Sequence, residues 1–129
     1  MPPNIHRGGT LLLDTHGGLH LHVILNDPAC IENYGTEVQV VIVSVTSIKA
    51  GKEYDDTVVL SPGDHPFIKH PSYVAYRFAQ IKPANLVAQL GKEHSPISDS
   101  LMAKIIQGAL KSGKTRMYIK EALENIPLI

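Results

Sequence analysis

The chain has 129 residues, 43% of them hydrophobic and 19% charged, which is the composition of one globular domain with chain enough for a single core. Twelve Lys and Arg balance twelve Asp and Glu, so no global basic field advertises nucleic acid, and the seven His add positive charge only below about pH 6.5. A single cysteine, Cys30, excludes an internal disulfide, MPPNIHRGG has no apolar leader, and no run approaches the roughly 20 apolar residues of a membrane span; the expectation is a soluble cytoplasmic domain with no membrane partner.

Taken in order, the first two thirds predict short strands. TLLLDT (10–15) is stopped by HGG (16–18), and LHLHVIL (19–25) ends at NDP (26–28), which carries strong turn chemistry. VQVVIVSVTSI (38–48) is dense in β-branched residues and reads as a strand buried on both faces. After the polar KAGKEYDD comes a short strand in TVVLSPGD. SYVAYRFAQI (72–81) then alternates, with Val74, Tyr76 and Phe78 on one face and Ala75, Arg77 and Ala79 on the other. Five short strands with tight connections predict a strongly curved antiparallel sheet or small barrel. Beyond Pro83 the pattern changes. Ser98 can cap a helix carrying Leu101, Ile105, Ile106 and Leu110, and Met117, Ile119, Ala122 and Leu123 predict a second helix before Pro127. The outline is one domain, 1–129: a β-rich body with a C-terminal helical segment at about 97–126.

GALKSGKT (108–115) satisfies the phosphate-loop pattern G-x-x-x-x-G-K-[ST]. That loop works by following a buried strand and opening a helix whose amides meet the phosphates. Here it follows an amphipathic helical stretch, and too little chain remains for the metal-binding Asp of such sites. The expectation is a turn between two helices, with Gly113 as the left-handed residue and no nucleotide bound.

Histidine placement is the more specific signal. His20 and His22 alternate on a predicted strand, so both rings share a face. His65 and His70 each precede a proline in PGDHPFIKHPSY, which holds their backbones extended in a loop that also carries Asp64 and Lys69 and leads to Arg77. Two imidazoles and a cation can cleave RNA without metal: one takes the 2′-OH proton, the other protonates the leaving 5′-oxygen, and the cation stabilises the phosphorane. His20-x-His22 with Asp64, His65 or His70 is alternatively a transition-metal ligand set for a hydrolase. Thr46 and Ser47 end the most hydrophobic strand as phosphate hydrogen-bond donors, and Tyr73 or Tyr76 can stack a base, although core packing accounts better for at least one of the two.

The order of these motifs resembles the MazF/PemK family of toxin endoribonucleases. RGGTLLLDT is similar to the family's opening Arg-Gly and first strand, HLHVILNDP to its second, and VVIVSVTSI to its third, which ends in Thr46-Ser47; SYVAYRFAQIKPANL and the helix from Ser98 are similar to its late strand and C-terminal helix. The resemblance implies an SH3-like barrel of about five to seven antiparallel strands and a homodimer. It also implies metal-independent cleavage of single-stranded RNA with no cofactor, and neutralisation by a cognate antitoxin. The family's catalytic Arg before the second strand is absent, the matching segment being Gly18-Leu19-His20. A divergent branch with a GDHPFI-type loop is the better match. His20 and His65 are therefore expected to replace the Arg as the working pair, with Thr46 and Arg77 holding phosphate and His22, Ser47, Lys69, His70 and Tyr73 contacting RNA. Gyrase poisons reuse the same barrel, so a non-catalytic module binding antitoxin, gyrase or nucleic acid is the alternative.

Overall fold

A computed structural model describes residues 4–15 and 18–126. Most of the turn expected at 16–18, and the tail beyond Ile126 with its Pro127, lie outside these residues. The elements run β1 (Thr10–Thr15), β2 (Gly18–Ile24), β3 (Gln39–Ser47), β4 (Val59–Leu60), β5 (Ser72–Pro83), α1 (Ala84–Leu90), β6 (Lys92–His94), α2 (Asp99–Lys111) and α3 (Met117–Glu124). One sheet takes the six strands in the order β4-β5-β3-β2-β1-β6, every neighbouring pair antiparallel, and curls into a half-barrel.

Strand alternation divides the core in two. On one face Leu21, Val23, Val41, Val43, Val45, Val74 and Tyr76 pack against Met102, Ile105 and Ala109 of α2 and Ile119 and Leu123 of α3. On the other, Leu11, Leu13, Ile24, Val40 and Ile42 meet Ala84 and Val87 of α1. β3 therefore needs apolar residues at consecutive positions, and its burial relents only at Thr46 and Ser47. The NDP turn is locked by Asn26, fully buried, whose Oδ1 accepts from Val41 N (2.7 Å) while Nδ2 donates to Asp27 O and Gln39 O.

Four details differ from expectation. α1 and β6 have no sequence signal: α1 has no side-chain cap, and β6 is a three-residue edge strand of polar residues paired to β1. β5 bulges, since Ser44 faces Ala75 but Ile42 faces Gln80, so its alternation breaks after Tyr76: Ala79 turns into the core and Phe78 is half-buried. On α2, Met102 and Ala109 take the inward positions and Leu110 is 39% exposed; on α3, Met117 is 67% exposed. Finally, Ser98 caps α2 as expected, its Oγ accepting from Leu101 N, and α2 runs through Gly108 to Lys111, but the helix ends on Ser112 in extended backbone and Gly113 is not left-handed. Gly108 is there because a Cβ would collide with the Tyr76 hydroxyl and Val58, and that hydroxyl donates to Ile105 O at 2.7 Å. GALKSGKT is thus the end of one helix and the turn to the next, following no strand.

Candidate functional site

The face opposite α2 and α3 is only half covered, because α1 reaches Ala84 and Val87 and no further. At the end of the ladder built by β2, β3 and β5, the row of His22, Ser44 and Ala75 is buried and only the next row reaches solvent. The register pairs His22 with Ser44 and Ser44 with Ala75, and on the next row pairs Thr46 with Tyr73. One step beyond Leu21↔Val45 the same register sets His20 against Thr46, where facing Cβ atoms are about 5 Å apart. His20, Thr46 and Tyr73 are half-buried in this row, and Arg77, exposed, lies in the β5 bulge two positions beyond Ala75. The register therefore places His20, His22, Thr46 and Tyr73 on one face of the sheet, with Arg77 in the bulge beside Tyr73's cleft.

The surroundings of each side chain are set locally. His22 is 3% exposed, and its Nδ1–H donates to the carbonyl of His20 (3.0 Å), which fixes the ring along the strand. It lines a cleft of about 260 Å³ under α1 with Leu13, Ile42, Gln80, Lys82 and Val87. Tyr73 is met by the ring of Tyr54 at 5.4 Å, tilted by 39°, and Arg77 lies over Phe78 at 5.1 Å. These aromatic groups border a second cleft of about 190 Å³ at the edge of β5, where Tyr76 and Lys114 reach it from the helix side. Asp55, at its edge, is tied down by Ser112 Oγ (2.6 Å) and by Thr57 through both its amide and its hydroxyl. Partial burial pushes its pKa up, but these hydrogen bonds outweigh it and leave the carboxyl below its ordinary range.

Tyr54, Gln80 and Lys82 carry the site's edge but lack a signal in the sequence. Tyr54 sits in a polar loop, and the β5 bulge is what returns Gln80 and Lys82 to the face of Ala75, where an unbroken alternation puts them opposite it.

The other expected residues lie elsewhere. His65 is 2% exposed on the core side: its Nε2–H donates to Ser95 O (2.6 Å) and sits 3.3 Å from Thr10 Oγ1, while Nδ1 accepts from Phe67 N (3.0 Å). Thr10 pairs with Val23 of the core face, whereas His20 pairs with Leu13 on the opposite face. Both ring nitrogens of His65 are spent on holding the 61–72 loop to the β1–β6 edge, so the expected His20–His65 pair is separated by the sheet. Burial holds its pKa below the usual value, the Ser95 hydrogen bond opposes this, and His94, its ring centroid 4.7 Å away, adds to the lowering. Ser47, Lys69 and His70 also lie on the core side, around a cleft of about 300 Å³ floored by Leu21 and Val45. Tyr76 is a core residue, and burial, with a smaller push from Asp55, raises its phenol far above the ordinary range. Among the described residues, no three His, Cys, Asp or Glu side chains converge as a metal site, and no helix is long and apolar enough to cross a membrane.

No protein-family model matches the chain, and no curated protein matches it. Among solved structures it is similar to a mycobacterial endoribonuclease in complex with its cognate antitoxin, with a TM-score of 0.56 over 83% of this chain and 92% of that one. At 20% sequence identity the similarity is one of fold alone.

Proposed function

We propose that the chain is the toxin of a toxin–antitoxin pair and cleaves single-stranded RNA on the open sheet face without metal. The observation that carries this reading is the cross-strand row of half-buried His20, Thr46 and Tyr73, with Arg77 in the neighbouring bulge, in a fold similar to that of an endoribonuclease. His20 takes the proton from a 2′-OH, the oxygen attacks the adjacent phosphorus, and the 5′-oxygen leaves with a proton from a second imidazole. His22 supplies that imidazole. It is two residues along the strand, about 6.6 Å away, and lines the adjoining cleft. Arg77 and the Thr46 hydroxyl hold the phosphate as charge builds, and Tyr73 with Tyr54 offers a stacking surface to a base. The products are a 2′,3′-cyclic phosphate and a 5′-hydroxyl. A cognate antitoxin that covers this face blocks the reaction, and the chain works as a homodimer.

Single-stranded RNA incubated with the purified protein tests the proposal, with and without EDTA and beside His20→Ala and Thr46→Val. Cleavage that survives EDTA, leaves cyclic phosphate ends and is lost in His20→Ala supports it. Cleavage abolished by EDTA moves the imidazoles to a metal site, and a folded protein without cleavage leaves a barrel that binds and does not cut.

A further inference from the structure

A groove of about 580 Å³ runs between the β2–β3 connection and α3, away from the open face. Its apolar floor is formed by Ile31 and Ile126, which belong to the core shared with α2 and α3. Its rims carry Tyr34 and Tyr118, 37% and 42% exposed, and the carboxylates of Glu32 and Glu121. No Lys, Arg or His among the described residues lines it. Among the described residues neither carboxylate has a hydrogen-bond or ion-pair partner. The connection adds no compensating charge, since Glu32 and Glu37 are its only charged residues between Ala29 and Val38.

The walls are built in advance of any ligand. Asn33 and Gly35 both hold positive φ (74° and 78°), Tyr34 N donates to Ile31 O, and the Gln39 amide donates to the carbonyls of Tyr34 and Glu37. Asn125 Nδ2 donates to Glu121 O and closes the end of α3. A fixed groove with an apolar floor, two aromatic rims and two uncompensated carboxylates matches a chain that presents cationic side chains beside apolar ones. The guanidinium or ammonium group meets the carboxylates and the tyrosine faces, and the apolar neighbour meets the floor. We propose that this groove is a docking site for a basic, partly apolar peptide segment of a protein partner. RNA is excluded from it by charge, so the site is independent of the open face.

Isotope-labelled protein titrated with the peptide acetyl-Arg-Leu-Arg-Leu-Arg-Leu-amide, followed by amide chemical shifts, tests this. Shifts confined to 30–34 and 118–126 are expected, with affinity about tenfold weaker in Glu32→Gln/Glu121→Gln. Tyr34→Ser/Tyr118→Ser should weaken binding also at about 0.5 M salt, where charge attraction is screened. All four side chains are on the rim, so these variants fold, and RNA cleavage is unchanged in both. Equal binding of a Glu-Leu peptide, shifts centred on other carboxylates such as Glu53, or affinity untouched by both double variants overturns the proposal.

Discussion

His20 and His65 stand on opposite sides of one sheet, and the contrast between those sides explains the molecule. On the core side, His65 has both nitrogens bonded and its ring sealed, so it works as a strut between the 61–72 loop and the β1–β6 edge. On the open side, His20 is half-buried in the row of the Thr46 hydroxyl and the Tyr73 phenol. The same side chain is mortar in one place and a reagent in the other. Solvent access and bonded neighbours make the difference, and neither follows from residue type.

Exchanging the two histidines' properties breaks the comparison most directly. Under the proposed function His20→Ala lowers RNA cleavage by about a hundredfold or more, the scale of a lost general base, while the thermal midpoint stays within a degree or two, since a half-exposed side chain carries about 0.5 kcal/mol or less. His65→Leu should do the reverse: stability falls by about 2 kcal/mol because the Phe67 amide is left unpaired and the Ser95 carbonyl keeps only the Thr10 hydroxyl. Chemical denaturation measures this, and a variant as stable as the parent would remove the strut.

A pH series sharpens the same contrast. His65 has a folded pKa below 6.5, so the unfolded chain binds its proton first as pH falls. Stability from this residue is complete above about pH 6.5, and declines until pH passes the lowered folded pKa. The His65→Leu variant should lose that component of the acid slope, as followed by midpoints between about pH 7 and pH 5. The smallest effect is expected from Lys69→Ala. It lies on the core side with Ser47 and His70, so cleavage changes by about threefold or less, through long-range charge alone. A loss comparable to that of His20→Ala would instead route the RNA around the end of the ladder.

Strand alternation and β-branched density made most of the sheet readable from the residues, and Ser98 announced α2 through its cap. The half-barrel follows from those strands. Reading failed where tertiary contact overrides local pattern. α1 is seven residues held by Ala84 and Val87 against the sheet, and β6 is polar because its partner supplies its order. The site was readable in its identities but not in its geometry. His20, His22 and Thr46 converge because their strands pair in a register that period-two logic predicts. His65 and Lys69 diverge because a loop's path over one side or the other leaves no trace in composition. Tyr54, Gln80 and Lys82 went unread because a loop and a bulge aim them.

The outermost strands of the sheet are its shortest, β4 with two residues and β6 with three. Such stubs offer few free amide and carbonyl groups of their own to a neighbouring molecule, and β6 adds Lys92 and Glu93 where another strand would try to dock. The long, sticky β3, which would seed fibres if it lay outermost, is instead flanked on both sides, whereas β4 covers β5 only at Ser72 and Tyr73.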